Sequence, residues 1–119
     1  MKTVLIVDDN KDMRFLLTNF LSSNGYDVFA ADDGVMAVNA LENDIPDLVL
    51  LDIRLPKLNG IEVLKRIKEI DEGIKVILIT AYSNLSSRNK AVEYGANDYL
   101  TKPFDNNDLL ERISKVFEY

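Results

Sequence analysis

Asp47-Leu48-Val49-Leu50-Leu51-Asp52 sets four consecutive apolar residues between two acids. A strand with one face in water alternates apolar and polar residues, and residues 48–51 show no such alternation. A run of this kind belongs in a parallel sheet covered by helices on both faces. Outward from it the pattern recurs. Val4-Leu5-Ile6-Val7 runs into Asp8-Asp9, Val76-Ile77-Leu78-Ile79 into Thr80, and Tyr99-Leu100 into Thr101-Lys102-Pro103. In an open parallel sheet the carboxyl ends of the strands form one edge, and ligands bind there. That edge would gather three carboxylates, a hydroxyl and an ammonium group, a set suited to a divalent cation and a phosphoryl group.

Between the apolar runs lie longer segments of helical periodicity, so the chain reads as a βα-repeating, α/β architecture. Strands are expected near 3–8, 27–31, 47–52, 75–80 and 97–101, and helices near 11–23, 34–43, 59–70, 84–94 and 105–117. Gly25 and Gly95 fall where the first and fourth helices should end, a place where the backbone turns left-handed. Asp105, with Asp108 three residues on, is placed to cap the last helix. Pro46 and Pro56 punctuate loops. Residues 1–119 are expected to form a single domain with no output domain.

Composition narrows the chemistry further. The chain has no Cys and no His, which excludes thiolate nucleophiles, imidazole bases, Cys-based zinc sites and phosphohistidine on this chain. What remains is carboxylate, hydroxyl and amine chemistry with a hard, oxygen-seeking metal. A net charge of −6 lacks the basic footprint of a nucleic-acid binder, so direct binding to nucleic acid is not expected. No run reaches the roughly 18 apolar residues of a membrane span, and no signal-peptide pattern follows Lys2. The expected location is the cytoplasm, with no membrane partner.

Helix capping accounts for one acid of the Asp8-Asp9 pair and poorly for both. Like charges about 4 Å apart repel by roughly 4 kcal/mol at an effective dielectric near 20, and a divalent cation reverses that sign. Asp52 is either a turn residue or a carboxylate nucleophile that becomes an acyl phosphate. Mg²⁺ and Lys102 would supply the positioning and charge neutralisation that phosphoryl transfer needs. Thr80 on its own is an ordinary strand residue; beside the acids it becomes a site hydroxyl. Lys102 is a solvated charge or the counter-ion of the acids, and Tyr99 is either packing or part of the site.

Taken together these residues resemble the receiver domain of two-component response regulators. The motifs are Val4-Leu5-Ile6-Val7-Asp8-Asp9, Asp47 through Asp52, Pro56 through Gly60, Thr80-Ala81, Gly95-Ala96 and Lys102-Pro103-Phe104, and they span the chain. The resemblance implies a doubly wound (βα)₅ sandwich of flavodoxin-like type, its parallel five-stranded sheet ordered 2-1-3-4-5. It implies that Asp52 takes a phosphoryl group from a phosphohistidine on a sensor histidine kinase or a histidine phosphotransfer protein. Asp8, Asp9, Asp52 and the main-chain carbonyl of Arg54 would ligate Mg²⁺, for which Mn²⁺ may substitute. Lys102 would pair with the phosphoryl oxygens, Thr80 and Tyr99 would switch the surface of the fourth helix and fifth strand, and the Lys102–Pro103 bond would be cis. Arg54, Ala81 and Tyr82 would flank the phosphoryl group, with the large Arg54 and Tyr82 shielding it from water.

Leu58-Asn59-Gly60 stands where Met-Asp-Gly is frequent in that family. The overall match, Thr80-Ala81-Tyr82 included, looks most like the single-domain receivers of sporulation-type phosphorelays. A receiver cut from a larger DNA-binding or ATPase-type regulator is the alternative. The first helix holds more apolar residues than one stripe can bury: Met13, Phe15, Leu16, Leu17, Phe20 and Leu21. Met13 and Leu16 are expected to form part of the docking patch for the phosphodonor. A haloacid-dehalogenase-type phosphohydrolase wants a second Asp two residues after the nucleophile, and Arg54 stands there. A flavodoxin-like cofactor binder or a dinucleotide binder needs a Gly-containing phosphate loop where this chain has Asp8-Asp9.

Overall fold

A computed structural model describes residues 2–55, 58–81 and 85–118, without the side chains of 85 and 87. Five strands alternate with five helices: β1 (Thr3–Val7), α1 (Lys11–Ser23), β2 (Asp27–Ala31), α2 (Gly34–Asn43), β3 (Leu48–Leu51), α3 (Gly60–Ile70), β4 (Lys75–Thr80), α4 (Leu85–Glu93), β5 (Asp98–Thr101) and α5 (Asn106–Phe117). All strand pairs are parallel, in the order β2-β1-β3-β4-β5. The expected fold is the observed one.

The apolar strands divide their side chains between two cores, as the two-residue period of a strand requires. Leu5, Val7, Val49, Leu51, Val76 and Leu78 face α2, α3 and α4, meeting Ala37, Leu41, Val63, Leu64, Ile67 and Ala91. Val4, Ile6, Leu48, Leu50, Ile77 and Ile79 face α1 and α5, meeting Leu17, Leu21, Leu109 and Ile113. Register then aligns the strand ends. Val7 pairs with both Ala31 and Leu51, and Leu51 pairs with Leu78. Asp8 and Asp52 therefore leave adjacent strands at the same level, with Thr80 just beyond on the next.

Strand limits differ slightly from expectation. Residues 8, 47, 52 and 97 were expected inside strands and lie just outside them. The chain leaves the ladder at the acids. The Asp8 N–H still donates to the Ala31 carbonyl at 3.2 Å, yet its own carbonyl accepts from the Arg14 guanidinium at 2.7 Å. Gly25 and Gly95 follow α1 and α4 with φ of 89° and 93°, the left-handed turn expected there. The expected start of the fourth helix, at 84, lies outside the described residues, as does Pro56.

Candidate functional site

Three strand ends and one loop build the site. Asp8 and Asp52 are buried, Asp9 is exposed, and one carboxylate oxygen from each lies within 4.8 Å of the others. Lys102, after β5, donates from Nζ to Asp8 Oδ2 at 2.9 Å and to Asp52 Oδ2 at 3.0 Å. The remaining oxygens are held by the backbone: Asp8 Oδ1 accepts from the Asn10 N–H at 2.9 Å and Asp52 Oδ1 from the Arg54 N–H at 3.1 Å. The Lys102–Pro103 peptide is cis, as expected, and the Lys102 N–H donates to the Thr80 carbonyl at 2.8 Å, tying β5's end to β4.

Neither Asp8 nor Asp9 caps α1. Asn10 does, its side chain accepting from the Met13 N–H at 2.9 Å. The two acids are thereby left for other work.

Electrostatics at the acids are opposed and unevenly matched. Burial pushes the Asp52 carboxyl above its usual value, and the bonds from Lys102 and the Arg54 N–H pull it back only in part. Burial pulls the Lys102 ammonium down, while Asp8 and Asp52 together more than reverse this and hold it above the usual lysine range. The lysine is held charged, and the Asp52 carboxyl is only partly compensated for its burial. Oxygen-only donors in a tight group suit a hard cation with few protein ligands.

The family profile "Response regulator receiver domain" matches residues 4–114. The chain belongs to that family. The receiver is 42% identical over 112 residues to "Sporulation initiation phosphotransferase F" of Bacillus subtilis, covering 94% of this chain and 90% of the relative. It is 39% identical over 110 residues to "Response regulator MprA" of a Mycobacterium species, covering 92% of this chain and 48% of that relative, so it spans about half of MprA. Among solved structures, a CheY-like receiver domain protein from Methanospirillum hungatei superposes with a TM-score of 0.95 at 33% identity, covering 98% and 93% of the two chains. Response regulator TrrA of Thermotoga maritima, in complex with Mg²⁺-BeF, superposes at 0.89 and 35% identity, covering 98% and 99%.

Other expected residues of the receiver are placed unevenly. Thr80 is fully buried at the end of β4. Tyr99 is half-buried on β5, packed against the core, with the Arg88 guanidinium 5.1 Å from its ring centre. Ala81 and Arg54 are exposed, and Tyr82 lies outside the described residues. Met13 is half-buried and Leu16 is 62% exposed. Both line a groove of about 360 Å³ with Ala81, Lys102, Pro103 and Phe104, so the expected docking patch reaches the site lysine.

Two residues of the receiver site carried no sequence signal. Arg14 holds the Asp8 carbonyl from the second turn of α1, where an arginine reads as a solvated charge. Asn10 reads as part of an acidic turn, and its cap geometry is visible only once the helix start is fixed.

Proposed function

We propose that this receiver accepts a phosphoryl group onto Asp52 from a phosphohistidine on a sensor histidine kinase or histidine phosphotransfer protein. The convergence of Asp8, Asp9, Asp52 and Lys102 on one sheet edge carries this reading. An Asp52 carboxylate oxygen forms the new O–P bond. The P–N bond of the donor breaks, and its electron pair stays on the imidazole nitrogen. Asp8, Asp9, Asp52 and the Arg54 carbonyl would hold Mg²⁺, for which Mn²⁺ would substitute. The Mg²⁺-BeF complex of the TrrA relative supports the metal. The ion supplies charge neutralisation to the phosphoryl oxygens.

Lys102 turns from Asp52 to the incoming phosphoryl oxygens while keeping Asp8. Thr80 and Tyr99 then respond, and the α4–β5 surface changes with them. Arg54, flanking the acyl phosphate with Ala81, slows its hydrolysis. The domain is a phosphoacceptor that catalyses only its own phosphorylation and dephosphorylation. Its 42% identity to the Bacillus relative supports a role as a phosphorelay intermediate in the cytoplasm; a receiver within a DNA-binding regulator is the alternative.

Incubation with acetyl phosphate and Mg²⁺, followed by intact mass, should give an adduct of about 80 Da, one phosphoryl group on a carboxylate. The adduct should vanish without Mg²⁺ and in Asp52→Asn, and decay faster in Arg54→Asn. An adduct that persists in Asp52→Asn would exclude Asp52 as the acceptor.

A further inference from the structure

Gly34 begins α2 and is not among the residues with positive φ, so its backbone gives no reason for glycine. Alanine in a helix is favoured over glycine by about 1 kcal/mol. Space supplies the reason. A β-carbon at Gly34 would press on the Leu58 carbonyl oxygen and lie 2.7 Å from Leu58 Cβ and 2.8 Å from Val63 Cγ2. The first of these is backbone and has no rotamer to escape into.

Two residues further along the same loop, Gly60 makes a matching approach to the phosphoacceptor. A β-carbon there would press on the Asp52 carbonyl oxygen and lie 3.0 Å from the Asp52 carbonyl carbon. The Gly60 N–H also donates to the Ile53 carbonyl at 2.7 Å. The backbone of Gly34 therefore lies close against Leu58, and that of Gly60 against Asp52-Ile53. Ile53 leads directly into Arg54.

We propose that Gly34 is a positioning residue for the cation site. It seats the 58–60 segment, and that segment, through Gly60, sets the backbone from Asp52 to Arg54. The inference rests on the reading of Asp52 and the Arg54 carbonyl as ligands. No side chain of α2 needs to reach the metal: the helix acts as a floor under the loop.

Calorimetric titration of the unphosphorylated protein with Mg²⁺ tests it. Gly34→Ala should weaken Mg²⁺ binding about tenfold, the usual scale for groups that hold ligands in place. Ile113→Ala, which loosens the opposite core, should bind Mg²⁺ as the wild type does. Unchanged affinity in a folded Gly34→Ala would overturn the inference. Should that variant not fold, Gly34→Ala is combined with Val63→Ala, which removes the Val63 Cγ2 contact and leaves the added β-carbon against the Leu58 carbonyl oxygen. The double variant should also weaken Mg²⁺ binding, and unaltered binding there would overturn the inference equally. Wild-type protein that takes up no Mg²⁺ would instead overturn the reading of the site on which this inference rests.

Discussion

At the residue scale, Asp52 is the point where stability and function pull apart. Its carboxyl is buried and raised above its ordinary value, so between that value and the folded one the folded chain keeps a proton that the unfolded chain has released. Stability therefore falls as pH rises from the ordinary carboxylate value through the folded one, and the penalty is complete above the folded value. Asp52→Asn keeps an accepting oxygen for Lys102 and removes the penalty. In metal-free buffer at pH 7 it should melt about 2–6 °C higher than wild type. The difference should shrink to nothing as pH drops below the ordinary carboxylate value. Melting curves across pH check this, and a lower melting temperature for the variant at pH 7 would contradict it. The acids were legible in the sequence because each ends an apolar run. Arg14 was not, because its bond to the Asp8 carbonyl depends on how the turn after β1 directs that oxygen.

At the element scale, the described caps show how local chemistry frees the site. Asn10, Asp33, Asn59 and Asp105 each accept from the backbone N–H three residues on, at 2.9, 2.7, 3.1 and 2.7 Å. Only Asp105 was foreseen, since Asn and Asp in these turns have several equivalent readings until the helix start is known. Helix α1 was read well: Leu17 and Leu21 are buried, while Phe15 and Leu16 are 67% and 62% exposed. Leu16 of this surplus lines, with Met13, the groove that runs to Lys102. Replacing Met13 and Leu16 by polar residues should slow phosphotransfer from a phosphohistidine protein by about tenfold or more, as loss of two apolar contacts does. Phosphorylation by acetyl phosphate should be unaffected. Rates with both donors decide it, and equal slowing of the two would rule out a docking role.

At the scale of the whole molecule, the sheet separates two cores and leaves the site at one edge of both. Fold class and strand ends were legible because residues 4–7, 48–51 and 76–79 are apolar at every position, and few other architectures can bury such runs. Loop seating was not legible. The close approach of Gly34 to Leu58 joins residues that no spacing rule connects. Since the cores lie on opposite faces, a cavity in one should lower stability without disturbing the strand ends. Ile113→Ala, fully buried between α5 and the sheet, should cost about 2–5 kcal/mol by urea denaturation while Asp52 remains phosphorylatable.

Lys102 joins the first and third strands from a position 94 residues beyond Asp8 and 50 beyond Asp52. Both acids are therefore made before their cation. A partly made or partly folded chain thus presents carboxylates with no counter-charge to steady a phosphoryl group. The bridge from Lys102 to Asp8 and Asp52 thus forms only once the segment after β5 has been brought beside the ends of β1 and β3.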